Sequence, residues 1–517
     1  MAARVLMCLL LLSSNLAENP ALVAAQLDDR EQQLENLYAD YWRTEYKIAM
    51  GAPDLSSRAV QERIRAVVSD DKFLRNLDHT TFSDALLKTR RKLFLNEAVY
   101  SRITNDPDLT AVVEQITRQE NATRYSVGDR QLTRAELTDL LAHNPDRKLR
   151  EQAWRATSQI TAANGQRIQN AIKLRNQLAG KYSAELFSTF MLHRKGMEVQ
   201  TLFEWFEEIR EETEPEYQRL LERMRQELGV SKIEPWDLEF YFSNFTSDFE
   251  SQKFSTDDGW NKAKQLTATL GYNLDPVEMH VADLSFGGAA YPVLYGKEVM
   301  ILANRYSGIY FYDRLLHATG HGLHYQMIAE PSFLLRNNYA EPVDEGLAQV
   351  IALMLYRPEV NTKLFALTPK QAATVGTTYR LKMLFNVRNT IADSLSEFED
   401  YADQDPSIVY NRIHAKYLGV DMHDTAVWAF NPMYGSDPIY LQSFVVGEMV
   451  AHQIQHKTDQ QFGRNWGLKA GQYLRTSFYS RGAGQSIDGL MQNATGERLT
   501  PRYLIQFLQN SSQQPPF

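Results

Sequence analysis

The segment Tyr312-Asp-Arg-Leu-Leu-His317-Ala-Thr-Gly-His321-Gly-Leu-His324-Tyr decides how this chain is interpreted. His317 and His321 have the spacing that places two imidazoles on one face of a helix, one turn apart, where they can bind one metal ion. His324 shares that face, but seven residues at 1.5 Å each place it about 10.5 Å from His317 along the axis. The segment therefore predicts a helix with two metal ligands, and His324 is predicted to support or pack rather than to bind.

A third ligand is predicted on the next helix. Pro342 suits the first turn of that helix, and the run Asp344-Glu345-Gly-Leu-Ala-Gln-Val follows it. The chain between His321 and Glu345 is long enough for a loop and a return onto the first helix. Catalytic zinc sites use three protein ligands and leave a fourth position for water. His317, His321 and Glu345 are therefore predicted to bind one zinc ion.

The usual general base is missing from this motif. In H-E-x-x-H the Glu beside the first His takes a proton from the metal-bound water, and here that position is Ala318. A positioned general base contributes about 10²–10⁴ in rate. Asp313 lies one turn before His317, too far along the helix to replace the Glu. The motif predicts an intact metal site with impaired hydrolysis.

A second pair with the same spacing, His452-Gln-Ile-Gln-His456, follows Glu448 by one turn. This pair has no distant carboxylate partner and no loop to close a site, so it is predicted to be structural.

Composition limits the classes of function. The 517 residues carry 55 Lys and Arg against 64 Asp and Glu, a net charge of −9, with 44% hydrophobic and 23% charged residues. These fractions are typical of a globular protein, and the acidic balance argues against nucleic acid as a partner. A single cysteine excludes an intramolecular disulfide framework.

The first 25 residues resemble a cleavable secretory signal. Arg4 supplies a positive charge, an apolar run covers residues 5–12, and Val23-Ala24-Ala25 offers small residues for cleavage. The alternative is a buried N-terminal helix. No later stretch has the roughly 18 apolar residues of a membrane span. The sequence predicts an exported protein, periplasmic or secreted, with residues 26–517 forming a single domain.

The rest of the chain predicts a mainly α fold. Apolar residues recur at helical spacing from Leu27 to about Lys195, and a charged helical run covers Val199 to Leu228. Gly287-Gly288, alternating apolar residues and Gly296 predict a hairpin, after which helical spacing resumes at about Tyr310. We expect a helical body with one small antiparallel β element before the metal-binding helix.

These motifs resemble the angiotensin-converting-enzyme-like zinc metallopeptidases, a gluzincin family, and more distantly the oligopeptidases of the thimet type. The matching segments are His317-x-x-Gly-His321, Glu345-Gly-Leu-Ala-Gln-Val, Leu381-Lys-Met, Lys416-Tyr-Leu-Gly and Ser443-Phe-Val. The resemblance implies an elongated helical body with a deep central cleft between two halves. It also implies short peptides as partners and release of dipeptides from peptide C-termini.

The same resemblance implies further site residues. Gly288, Ala289 and Ala290 take the place of the family's strand that pairs with the substrate backbone. Tyr440 takes the place of the tyrosine that stabilises the oxyanion, with simple packing as the alternative. Phe430 stands where the family has a substrate-contacting His.

Three functions remain open from the sequence. The first is a secreted zinc-binding protein of peptidyl-dipeptidase type that is impaired or inactive because of Ala318. The second is a working peptidase carrying an inactivating Glu-to-Ala substitution. The third is a metal-free peptide-binding or structural helical protein. The sequence predicts no oligomeric state.

Overall fold

The computed structural model describes residues 19–509 except 53–54, 245–248, 285–286 and 403. Most of these residues lie in helices, which confirms the predicted mainly α class. The helices before the first sheet are α1 (Pro20–Ala49), α2 (Arg58–Val68), α3 (Asp71–His79), α4 (Ala85–Thr104) and α5 (Pro107–Ala122). Those between the two sheets are α6 (Arg134–His143), α7 (Arg147–Ala156), α8 (Ser158–Tyr182), α9 (Phe187–Arg194), α10 (Val199–Leu228), α11 (Pro235–Ser243), α12 (Glu250–Lys253) and α13 (Gly259–Thr269).

The C-terminal part is also helical. Its helices are α14 (Gly308–Met327), α15 (Phe333–Asn337), α16 (Glu341–Met354), α17 (Pro358–Leu364), α18 (Pro369–Tyr401), α19 (Pro406–Leu418), α20 (Met433–Ser436), α21 (Leu441–Phe462), α22 (Leu468–Leu474), α23 (Ile487–Thr495) and α24 (Arg502–Gln509). Short 3₁₀ turns cover Thr256–Asp258 and Trp428–Phe430, and a π turn covers Arg475–Tyr479. Buried residues from Ile103 to Leu508 form one continuous apolar core.

A three-stranded sheet precedes α14 and contains the predicted hairpin. Its strands are β3 (Val277–Ala282), β4 (Gly288–Leu294) and β5 (Glu298–Asn304), in the order β3-β5-β4. β4 and β5 form the predicted antiparallel hairpin, and Gly296 in the turn has φ +74°. The sheet is nevertheless mixed, because β3 pairs with β5 in parallel.

A second hairpin interrupts the region predicted to be all helical. β1 (Tyr125–Val127) and β2 (Arg130–Leu132) pair antiparallel across the two-residue loop Gly128-Asp129. A Gly-Asp pair between short alternating runs is a recognised hairpin signal, and Gly128 has the positive φ of +59° that such a turn needs. This hairpin was not predicted from the sequence, because its local turn chemistry was overlooked.

Glycines let α14, α16 and α21 approach closely. A Cβ on Gly320 of α14 would lie 2.5 Å from the Cα of Ala348 in α16, and one on Gly447 of α21 would lie 2.6 Å from the Cβ of Glu345. α16 is buried on every side from Pro342 to Met354, as expected for a helix that is apolar all round. The close crossings bring α14 and the start of α16 together, where the site forms.

The predicted signal sequence falls mostly on residues 1–18, outside the described residues. The predicted cleavage point after Ala25 lies within α1, whose Val23 and Leu27 are buried in a small core with Phe73 and Phe94. Export and cleavage stay predictions. Among the described residues, no helix combines the length and the hydropathy required to cross a bilayer.

Candidate metal centre

Three side chains converge between α14 and α16. His317 Nε2 lies 3.2 Å from His321 Nε2 and 3.2 Å from Glu345 Oε2, and His321 Nε2 lies 3.8 Å from the same oxygen. Bonds of about 2.1 Å at tetrahedral angles place zinc ligand atoms ~3.4 Å apart. The structure therefore brings the three sequence-predicted ligands together with the spacing that zinc requires.

The far side of each imidazole ring has a partner. His317 Nδ1 lies 3.1 Å from Gln349 Oε1, and Gln349 in turn donates to the Tyr379 hydroxyl at 2.7 Å. His321 Nδ1 lies 2.8 Å from Asp344 Oδ2. A ring that donates through Nδ1 presents the lone pair of Nε2, the arrangement usual for metal-binding histidines. Both rings are thus oriented with Nε2 toward the common point.

The two oxygens of Glu345 differ in their surroundings. Oε1 accepts a hydrogen bond from the Tyr440 hydroxyl at 2.5 Å. Oε2 is buried without a hydrogen-bond partner, although a buried carboxylate oxygen normally has one. Burial disfavours the charged carboxylate, but the nearby imidazoles and the Tyr440 hydrogen bond outweigh it and lower the pKa of Glu345. An ionised carboxylate with one unpaired oxygen fits a metal ligand.

Asp344 organises the outer part of the centre. Besides His321, its carboxylate accepts hydrogen bonds from His324 Nδ1 at 2.6 Å and from the Tyr325 hydroxyl at 2.9 Å. Burial disfavours the charged form of the His321 ring, but Asp344 and Glu345 outweigh it and raise the pKa of His321 to about 9 in the metal-free protein. A metal ion bound at Nε2 would displace that proton and leave the Nδ1 hydrogen bond to Asp344 in place. His324 therefore lies behind the candidate ligands, as its position along α14 predicts. Neither Asp344 nor Gln349 was predicted from the sequence, although Gln349 lies one helical turn after Glu345 on the same face and Asp344 immediately precedes it.

Ala318 is buried, with 1% of its surface exposed, and faces the first residue of β4. A Cβ on Gly288 would lie 3.7 Å from the Cβ of Ala318. Asp313, the nearest acidic residue before it on α14, accepts hydrogen bonds from Tyr356 at 2.8 Å and from Arg314. These contacts hold Asp313 away from the role of a base, in agreement with its position one turn too early.

The strand β4 presents an open edge. Asn304 donates to the Gly287 carbonyl at 3.1 Å, so the pair Gly287/Asn304 is a hydrogen-bonded pair of the ladder. Because such pairs alternate, Ala289 bonds to β5, whereas the backbone groups of Gly288 and Ala290 point away from it. Within the described part of the chain no strand pairs with this edge. Gly288 and Ala290 are therefore free to hydrogen-bond an extended chain.

The two aromatic residues suggested by resemblance have different positions. Tyr440 immediately precedes α21 and reaches the centre, where its hydroxyl contacts Glu345. Phe430 instead packs edge-on against Tyr125 at 5.9 Å, with the Arg134 guanidinium 4.4 Å from its ring centroid. Phe430 is partly buried and packs against the edge of the core between β1 and α6.

Residues 140–261, which precede the metal cluster, match the profile of Peptidase family M3. The comparison with curated proteins returns no match. Among solved structures, Trypanosoma cruzi metallocarboxypeptidase 1 is 13% identical with a TM-score of 0.63, and the alignment covers 93% of this chain and 100% of that one.

A second solved structure is similar over nearly the same extent. The M32 carboxypeptidase from Deinococcus radiodurans R1 is 13% identical with a TM-score of 0.64, and the alignment covers 94% of this chain and 98% of that one. At this identity the likeness concerns the fold. The chain therefore has the fold of these metallocarboxypeptidases, and the match to Peptidase family M3 supports a metallopeptidase relationship.

Proposed function

We propose that this protein is an exported, zinc-binding protein of metallopeptidase descent that binds short peptides and hydrolyses them poorly or not at all. The observation that carries the proposal is the convergence of His317 Nε2, His321 Nε2 and the unpaired Glu345 Oε2. The orphaned oxygen and the two oriented rings fit zinc. Zinc bound there would polarise a water molecule or a peptide carbonyl.

Peptide binding is supported by the open edge of β4. An extended peptide can add to such an edge through main-chain hydrogen bonds, with Gly288 and Ala290 supplying donors and acceptors. The sequence resemblance suggests release of dipeptides from the C-terminus, whereas the two similar structures are named carboxypeptidases. Both activities act at the C-terminal end of a peptide, so we propose that the bound peptide lies with that end near the metal.

Impaired hydrolysis is supported by what surrounds the cluster. Ala318 offers no proton acceptor, and each neighbouring carboxylate has other partners. Asp313 bonds to Arg314 and Tyr356, Asp344 to His321 and His324, and Glu341 lies 2.6 Å from Lys195. Tyr440 remains the proposed oxyanion donor, although in this structure its proton is directed at Glu345.

The decisive experiment combines metal analysis with restoration of the carboxylate. Elemental analysis of the purified protein should give one zinc per chain. Ala318→Glu should then raise the rate of peptide cleavage by about 10²–10⁴ over the parent chain, since a general base is worth that much. Mass spectrometry of a short peptide gives the product, which distinguishes single amino acids from dipeptides.

Ala318→Gln is the matched control. The Gln side chain has nearly the same size as Glu, but it cannot accept a proton as a carboxylate does. This variant should bind zinc and remain inactive. Rapid hydrolysis by the unchanged chain would refute the proposed impairment. A chain without zinc would favour the metal-free peptide-binding alternative. If Ala318→Glu binds zinc but stays inactive, catalytic activity has been lost through changes at other positions as well.

A further inference from the structure

The residue before Tyr440 has an unusual backbone conformation. Ile439 has φ +56° and is completely buried. The left-handed region is disfavoured for β-branched residues because the Cβ crowds the backbone. Such residues are strained and persist only where their surroundings determine them. The contacts of Ile439 must therefore hold it in this conformation.

Both backbone groups of Ile439 are held by buried side chains. Its N–H donates to Glu397 Oε1 of α18 at 2.8 Å. Its carbonyl accepts from the Lys195 ammonium group and from Gln442 Nε2, the latter at 2.5 Å. Lys195 is 2% exposed and Glu397 is 1% exposed. Burial raises the pKa of Glu397 to about 8, so it accepts this hydrogen bond as a neutral carboxyl group near pH 7. Ionisable side chains are rarely buried so completely unless they have a specific partner, and here both bind one peptide segment.

The held segment leads directly to the metal centre. The Tyr440 hydroxyl reaches Glu345 Oε1, and the Lys195 ammonium lies 4.9 Å from the centroid of the Tyr440 ring. Lys195 also lies 2.6 Å from Glu341 Oε2, one turn before Glu345 on α16. Lys195 thus connects the backbone before Tyr440 with the helix that carries the third ligand.

We propose that Lys195 and Glu397 are positioning residues, which hold Ile439 in its left-handed conformation and so place the Tyr440 hydroxyl on Glu345. With Oε1 engaged by Tyr440, the carboxylate turns Oε2 toward His317 and His321. The inference rests on the proposed zinc site for its effect on metal binding. Its structural part, the placement of Tyr440, applies equally to the metal-free protein.

The test on metal binding is a double-mutant cycle between Lys195→Met and Tyr440→Phe. Zinc affinity is measured by competition with a chromophoric chelator. Outer partners of metal ligands contribute about 10–100-fold in affinity, so each single variant should weaken zinc binding by at least about tenfold. If Lys195 acts through Tyr440, the double variant should be no weaker than Tyr440→Phe alone. Additive losses would overturn the proposal.

A second readout does not depend on zinc. In metal-free protein with ¹³C-labelled tyrosine rings, the Tyr440 resonance is assigned by its loss in Tyr440→Phe. Lys195→Met should shift that resonance, and adding Ile439→Gly should move it back, because glycine adopts positive φ without strain. An unchanged Tyr440 resonance in Lys195→Met would overturn the proposal. A wild-type protein that binds no zinc would refute the proposed function but not this result.

Glu397 provides an independent variant if Lys195→Met fails to fold. Glu397→Leu removes the acceptor for the Ile439 N–H, and it should shift the Tyr440 resonance and weaken zinc binding about tenfold. Glu397→Gln keeps an acceptor oxygen of the same reach and should leave both measurements close to wild type. Equal effects of the two Glu397 variants would contradict the assigned role.

Discussion

Two histidine pairs with identical spacing lie on different helices and have opposite surroundings. His317 and His321 of α14 face a carboxylate from a neighbouring helix, and their Nε2 atoms lie 3.2 Å apart. His452 and His456 of α21 face aromatic rings instead. The ring of His452 stacks on Phe507 with centroids 4.4 Å apart, and that of His456 lies at the same distance from Tyr503.

The carboxylate beside the second pair is not arranged as a ligand. Glu448 Oε2 lies 3.6 Å from His452 Nε2, but burial raises the pKa of Glu448 to about 8 and lowers that of His452 to about 3. Both groups are therefore neutral near pH 7. Spacing along one helix places two imidazoles on one face in either case. An ionised carboxylate from a second helix and a hydrogen-bonded Nδ1 distinguish the candidate metal centre from the second pair.

The largest expected difference between the two pairs is in zinc affinity. His321→Ala removes a direct ligand and should weaken zinc binding by more than about a hundredfold, since outer partners alone account for 10–100-fold. His456→Ala removes a ring that packs on Tyr503 and should leave zinc affinity unchanged. Competition with a chromophoric chelator measures both variants under identical conditions.

Two results would contradict this difference in zinc affinity between the pairs. Zinc binding that survives His321→Ala would show that the cluster on α14 is not the site. A loss of bound zinc in His456→Ala of the same size would assign the metal to the second pair, contrary to its aromatic surroundings. Circular dichroism spectra of both variants establish that the helices are intact.

A smaller effect is expected at Asp344, whose carboxylate lies beside the Nδ1 atoms of His321 and His324. Asp344→Asn retains the shape of the side chain but replaces an anionic acceptor of His321 and His324 with an amide. The residue that hydrogen-bonds the other ring nitrogen of a metal-binding His typically contributes about 10–100-fold to metal affinity. The zinc affinity of Asp344→Asn should therefore fall by about that factor. Isothermal titration calorimetry with zinc measures the change in affinity. An unaltered affinity would show that Asp344 only stabilises the fold around His324.

The convergence of His317, His321 and Glu345 could be predicted from the sequence because the constraints on these residues are local or nearly so. A helix fixes the geometry of His317 and His321, and a short loop restricts where Glu345 can return. The C-terminal end of α10 was also predictable, because the charged run ends at Leu228 and a glycine follows it. Gly229 has φ +65°, the left-handed conformation in which helices often end. The hairpin at Tyr125–Leu132 had a local signal that was overlooked.

Other features depend on contacts between distant segments. The hydrogen bond from Tyr440 to Glu345 joins residues 95 positions apart, and that from Ile439 to Glu397 joins residues 42 apart. No spacing rule specifies such pairs, and the left-handed conformation of an isoleucine contradicts the local preference of that residue. The position of Phe430 against Tyr125 likewise follows from a packing of β1 that helical periodicity did not predict.

The smallest expected effect concerns the second pair and the stability of the fold. Burial lowers the pKa of His452 to about 3, whereas a histidine in an unfolded chain titrates near 6.5. Between these two pH values the unfolded state binds the additional proton, so acid favours unfolding. The His452 contribution is present above about pH 6.5 and is lost as pH falls, by at most about 1.4 kcal/mol per pH unit.

His452→Gln keeps a polar side chain of similar size that does not titrate. Urea unfolding between pH 7.5 and 4.5, with a chelator present so that zinc release does not contribute, should show a shallower loss of stability in this variant than in the wild type. Parallel curves would mean that the ring of His452 reaches solvent or carries a proton in the folded state. The second pair would then no longer be a neutral, packed counterpart to the metal centre, and the contrast between the two helices would have to rest on Glu345 alone.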